Sequence, residues 1–175
     1  MARVGACKDR LAEALARFGR VPIVKKTERV PSTHPIFRLG GAVVWWASGG
    51  LLYDGHGRVL LLRHVSSKGW GDVWLTPGGK LEEGETVLEG FEREVREEVG
   101  IGIAEPILTK IIQQNLTDGT QVRHGYFAQF LARALGGDIR PGSDVLEARW
   151  FDALPADMAF REDYAEDFRR IPRPL

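Results

Sequence analysis

The chain has 175 residues, the size of one domain with a short appendage, and 24 basic residues balance 24 acidic ones. Zero net charge removes any global attraction to long nucleic acid or an anionic membrane, so recognition of a phosphate has to be local. One cysteine, Cys7, excludes an internal disulfide, and one thiol with the scattered His34, His56, His64 and His124 has no zinc-ligand spacing; a reducing, cytoplasmic location is expected.

Leu11, Ala14, Leu15 and Phe18 recur at helical spacing, which predicts a short amphipathic helix over residues 9–18 that ends near Gly19. Arg3, Lys8, Asp9, Arg10, Glu13 and Arg17 interrupt every apolar run here, so no signal peptide is read, and nothing later reads as a membrane span. Pro22, Pro31 and Pro35 make residues 20–36 an extended arm or edge strand. Residues 1–35 are therefore expected to be a helix and arm beside a main domain of residues 36–175. An apolar stripe on so short a helix needs a cover, from its own subunit or from a second copy in a homodimer.

From Gly40 the run GAVVWWASGGLLYDGHGRVLLLRHV reads as two strands joined at Asp54 to Gly57, with Ser48, Gly49 and Gly50 as a bulge or kink. A helix over about Val87 to Val99 follows a glycine-rich loop and stops at Gly100. Residues 107–116 and 122–131 are strands around a turn at Thr117, Asp118 and Gly119; residues 148–151 form a short strand and residues 160–170 a terminal helix. Strands, a helix, hairpins and a helix predict a mixed α/β (α+β) layer protein rather than a doubly wound parallel sheet.

The segment from Gly79 to Ile101, GKLEEGETVLEGFEREVREEVGI, carries the chemistry. Thr86 and Glu89 form a capping box, which starts the helix just after Thr86 with Glu85 at its positive end. Val87, Leu88, Phe91, Val95 and Val99 make one apolar stripe, and Glu94, Glu97 and Glu98 cluster beside it. Each exposed like-charge pair costs about 0.2 to 0.5 kcal/mol; partial burial increases the cost, and a bound divalent cation reverses its sign. A solvated acidic face is the plain alternative. Before the helix, Thr76, Pro77, Gly78 and Gly79 form a turn whose bare backbone can approach a ligand and whose carbonyls can serve as hard oxygen donors to Mg²⁺. Arg93 either pairs on the surface with Glu89 or Glu97 or reaches back to Glu85 and pins the loop.

The same segment resembles the signature of the Nudix hydrolase (MutT-like) family, with Gly79, Glu85, Arg93, Glu94, Val95, Glu97, Glu98, Gly100 and Ile101 at its specified positions. The W-x-T-P-G-G approach and the Glu147 to Phe151 pattern extend a looser likeness over residues 40–154. The resemblance implies a mixed β-sheet sandwiched between α-helices, with the signature as a loop, helix and loop. It departs at Gly90 and Phe91, where many members have alanines; a mid-helix glycine costs about 1 kcal/mol relative to alanine and admits a close neighbour.

The implied activity is Mg²⁺- or Mn²⁺-dependent hydrolysis of a pyrophosphate bond in a nucleoside diphosphate linked to another moiety: an NTP, an NDP-sugar, ADP-ribose or a dinucleotide. The carried-over metal ligands are Glu94, Glu97 and Glu98, with the Gly78 carbonyl beside them, and Glu94 or Glu98 could instead act on the attacking water. Gly79, Glu85 and Arg93 support the site. Arg63, Trp70, Asp144 and Glu147 are candidate substrate contacts. A non-hydrolytic nucleotide-binding regulator with this fold is the alternative. Thr117 and Asp118 stand where ADP-ribose hydrolases often carry a proline and diadenosine polyphosphate hydrolases a tyrosine, which weakens both assignments.

Overall fold

The structure, a computed structural model, describes residues 7–38 and 44–173, with Cys7, Lys8, Pro35 and Arg38 as backbone alone. Residues 40–43, where the composition changes, lie outside the described residues. Helix α1 spans Cys7–Phe18 and closes at Gly19, whose φ of +78° glycine adopts without steric cost. Strand β1, Ile23–Arg29, follows. Then come β2 (Trp45–Tyr53), β3 (Val59–His64), β4 (Gly78–Lys80), helix α2 (Val87–Val99), β5 (Gly102–Thr117), β6 (Val122–Leu135), β7 (Val145–Phe151) and helix α3 (Arg161–Arg170). No helix among the described residues is long and apolar enough to cross a membrane.

All the strands join one mixed sheet in the order β1-β5-β6-β2-β3-β7, and β4 pairs with β2. β1 lies parallel to β5 over seven residues, from Ile23 opposite Ile111 to Arg29 opposite Thr117, so the arm is an edge strand of the same sheet. Alternation along β3 shows how the layers form. Leu60 and Leu62 face Val87, Phe91, Val95 and Val99 of α2, whereas Val59 and Leu61 face Trp74, Tyr164 and Ile171 on the side of α3. On the α2 side, Phe91 stacks on Phe130 at 5.0 Å, and Phe18 of α1 meets the same Phe130 edge-on at 5.5 Å. The apolar stripe of α1 is thus covered by its own chain.

Ser48, Gly49 and Gly50 do not form a bulge: β2 runs in unbroken register along β6, from Trp45 opposite Gly125 to Tyr53 opposite Arg133. Close approach explains these glycines instead. A Cβ on Gly49 would lie 2.8 Å from the Pro77 carbonyl oxygen, and one on Gly50 would overlap the Phe130 carbonyl. Register shifts fall elsewhere, in β5 between Ala104 and Ile107 and between Leu108 and Lys110, and in β3 between Arg63 and His64. In β5 Pro106 is accommodated because a bulge does not need its missing N–H, and the strand starts at Gly102 rather than at residue 107.

β2 and β3 pair only through Leu52 with Leu60 and Tyr53 with Val59. Beyond that they splay, and β4 takes the freed edge of β2, placing Gly78 opposite Gly49. The split between β3 and β4 opens the sheet where the C-terminal half of α2 crosses it.

Candidate active site

The capping box sets the start of α2: the Glu89 N–H donates to Thr86 Oγ1 at 3.2 Å, and the Thr86 N–H donates to Glu89 Oε2 at 2.9 Å. Gly100, at φ +70°, ends the helix. Between them Gly90 lets the preceding loop cross the helix, because a Cβ there would overlap the Leu81 side chain. Gly79 does the same for Glu94, whose carboxylate occupies the space a Cβ would fill.

Arg93 ties these parts together. Its guanidinium donates to both Glu85 oxygens, at 2.6 and 3.1 Å, and to the Lys80 carbonyl at 2.9 Å, pinning the loop to the helix. One nitrogen also bridges Glu94 at 2.9 Å and Glu97 at 3.0 Å, so both sequence alternatives for Arg93 are realised at once. These bonds hold the Glu85 carboxyl below its ordinary range and raise the Arg93 pKa further. From outside, Arg10 of α1 donates to the carbonyls of Glu82 at 2.6 Å and Glu85 at 3.1 Å.

Glu98 sits in the split of the sheet, 7% exposed, and accepts the Gly78 N–H at 2.9 Å. Its other oxygen lies 3.3 Å from His64 Nε2 at the end of β3. Burial pushes the Glu98 pKa up to about 8, against the Gly78 hydrogen bond, and burial raises that of Glu94 as well. Burial also lowers the pKa of His64, so the imidazole beside Glu98 is neutral near pH 7 and provides no counter-charge.

Glu94, Glu97, Glu98, Gly78 and Gly79 line one end of a cavity of about 910 Å³ on the α3 side of the sheet. Trp70 and Asp144 line it too; Asp144 pairs with Lys68 at 2.6 Å, and Trp70 meets Phe160 edge-on. Arg63 and Glu147 are not among the lining residues. Arg63 bonds Asp72 and Asp157, each at 3.0 Å, and lies over the Trp74 ring, while Glu147 pairs with Arg149 at 3.3 Å. Each is held by a neighbour of opposite charge, which strand position alone does not disclose.

Sequence reasoning missed His64, Lys68, Gln129 and the arm residues Glu28, Val30 and His34, all of which line the cavity. A polar residue inside the apolar stretch FAQFLA was the one signal for Gln129; the others depend on tertiary contacts. Two buried polar atoms of lining residues have no hydrogen-bond partner among the described residues, Gln129 Oε1 and Trp45 Nε1.

A family model, the NUDIX domain, matches residues 45–171. The chain belongs to the Nudix family. It is 30% identical over 149 residues to the mouse 8-oxo-dGDP phosphatase NUDT18, covering 81% of this chain and 43% of that protein. The NAD-capped RNA hydrolase NudC of Stutzerimonas stutzeri (strain A1501) is 36% identical over 110 residues, 58% of this chain and 38% of its own. The chain therefore spans less than half the length of either relative. Among solved structures, a MutT NUDIX hydrolase from Burkholderia pseudomallei shares the fold, with a TM-score of 0.58, 24% identity, and 71% of this chain and 97% of that one covered.

Members of the Nudix family generally use a divalent metal. No three His, Cys, Asp or Glu side chains among the described residues converge into a metal cage. Mg²⁺ does not require one, since it is held by one or two carboxylates together with substrate phosphates and water. The donor chemistry fits: Glu94 and Glu98 are hard oxygen donors, both destabilised as anions by burial, and among the described residues Glu98 has no Lys or Arg within ion-pair distance.

Proposed function

We propose that this chain hydrolyses a pyrophosphate bond in a nucleoside diphosphate linked to another moiety, the class that includes NTPs, NDP-sugars, ADP-ribose and dinucleotides, with Mg²⁺ or Mn²⁺. The observation that carries this reading is the pair of carboxylates, Glu98 buried and Glu94 half-buried beside Arg93, at one end of a cavity large enough for a nucleotide. The substrates in the names of the mouse and Stutzerimonas relatives, an oxidised nucleoside diphosphate and a NAD cap, both contain a pyrophosphate bond.

Glu94, Glu97, Glu98 and the Gly78 carbonyl would hold the cation. Bound there, it supplies Lewis acidity and neutralises phosphate charge. Water attacks one phosphorus, the bond from that phosphorus to the bridging oxygen breaks, and the proton from water passes to Glu94 or Glu98. Arg93, Glu85 and Gly79 hold the loop in position, and Trp70 and Asp144 border the substrate. Arg63 and Glu147, the other two candidate substrate contacts, stand outside the lining of this cavity.

The same proposal places the protein in the cytoplasm and treats residues 36–175 as the catalytic domain, with residues 1–35 as a helix and arm through which two chains associate. Exposed Ile23 and Val24 on edge strand β1 support that association. The test is a panel of NTPs, NDP-sugars, ADP-ribose, dinucleotides and dinucleoside polyphosphates with Mg²⁺, with products identified by mass. Release of a mononucleotide or a nucleoside diphosphate is expected. Tight binding without turnover on every member would establish the regulator instead.

A further inference from the structure

Gln129 is 0% exposed, and the orientation of its amide is fixed. Its Nε2 donates to Asp167 Oδ2 at 2.6 Å and to the Asp163 carbonyl at 2.9 Å, two acceptors that only the NH₂ group can satisfy. Oε1 is therefore left as an acceptor with no partner among the described residues, on a side chain that lines the cavity. An unpaired buried acceptor costs about 1 to 3 kcal/mol. Rotating the amide would make matters worse, because it would place an oxygen against a carboxylate.

The surroundings select what can pair with this acceptor. Thr109 Oγ1 donates to Asp167 at 2.8 Å, so that buried carboxylate is already satisfied and keeps Gln129 locked. Lys26 bonds both oxygens of the Asp163 carboxylate, at 2.7 and 2.6 Å, so neither that group nor the satisfied Asp167 competes for a donor; the unpaired Oε1 itself favours a ligand edge with an N–H over one with lone pairs. Phe127, on the same face of β6 two residues away, lines the cavity and offers an apolar wall to a flat ring. Gly78, Gly49 and Gln129 lie opposite one another on β4, β2 and β6. Two strand spacings, about 10 Å, therefore separate the loop at Glu98 from Gln129. A sugar and a base can bridge that distance, whereas a diphosphate alone is too short.

We propose that Gln129 Oε1 accepts an N–H of the substrate's heterocyclic base, making Gln129 a specificity-determining residue that admits bases with a donor and rejects isosteres without one. This rests on the reading of the site as one for a nucleotide diphosphate. Asp167 acts through Gln129 as a positioning residue.

The test uses the full chain. Mg²⁺-dependent kcat/KM is compared for ATP, GTP and purine-riboside triphosphate, whose base has no N–H, and for the 2′-deoxy forms of the first two. Calorimetry without metal compares AMP with purine-riboside monophosphate. At least tenfold preference for the donor-bearing bases is expected, in turnover and in binding, independent of the 2′-hydroxyl and reduced to within about threefold in Gln129→Met. Equal handling of both bases, a preference that survives in Gln129→Met, or a loss that follows the 2′-hydroxyl would overturn the assignment. Should the variant fail to fold, the analogue comparison on the unaltered protein decides. Turnover without donor preference removes this inference and leaves the hydrolase reading standing; donor-selective binding with no turnover on any member of the wider substrate panel does the reverse, and neither binding nor turnover across that panel removes both.

Discussion

Glu98 combines two demands that oppose each other. Its carboxylate lies almost wholly out of water beside Gly78 and a neutral His64, so charging it costs stability, yet a charged oxygen is what a hard cation requires. Glu98→Gln separates the two. The amide oxygen can still accept the Gly78 N–H, and the cost of burying an ionisable carboxyl is removed, so stability in urea without metal should hold or rise by up to about 1 kcal/mol. Turnover with saturating Mg²⁺ should fall on the order of a thousandfold, because a charged ligand of the reacting centre is gone. Retained turnover would exclude Glu98 from the chemistry.

At the scale of the element, α2 tests how far local rules reach. Its limits, Val87–Val99, were legible because the capping box and Gly100 are local signals that the fold leaves intact. Gly90 was legible only as an anomaly. Its reason, Leu81 crossing the helix, is a tertiary contact. Helix propensity alone predicts that Gly90→Ala stabilises by about 1 kcal/mol. The overlap with Leu81, together with Glu85 Oε2 at 3.2 Å and Ser48 Oγ at 3.3 Å, opposes that, and a net loss of about 1 to 2 kcal/mol is expected by chemical denaturation. A gain in stability would mean that the loop yields freely. The same division holds for the site: Glu94, Glu97, Glu98 and Arg93 follow from helical spacing, whereas Arg63 could not be placed, because of the two carboxylates that hold it Asp72 lies across a loop and Asp157 is distant in sequence. The glycines of β2 were misread as a bulge for the same reason, since the backbones they approach belong to other strands.

At the scale of the molecule, the residues preceding the matched Nudix region reach the site from two directions. On one face of the sheet, α1 covers Phe130 with Phe18, and Arg10 holds the carbonyls of Glu82 and Glu85 in the loop that leads into α2. At the sheet edge, β1 adds Glu28, and Val30 and His34 follow it as cavity wall. Deleting residues 1–35 should therefore do three separable things. Removing the cover from the α2-side core, and the parallel partner from β5, should lower stability by about 3 kcal/mol or more, read by urea denaturation. Opening the cavity wall should raise KM, and releasing the Glu82–Glu85 carbonyls should lower kcat, so both constants move; a change in KM alone would mean that Arg10 contributes nothing to the loop. The third effect concerns assembly. The proposed homodimer makes the full chain twice the monomer mass by light scattering and residues 36–175 a monomer. Equal association states for the two proteins would remove the dimer while leaving the stability and kinetic effects as measures of an arm that folds back on its own chain.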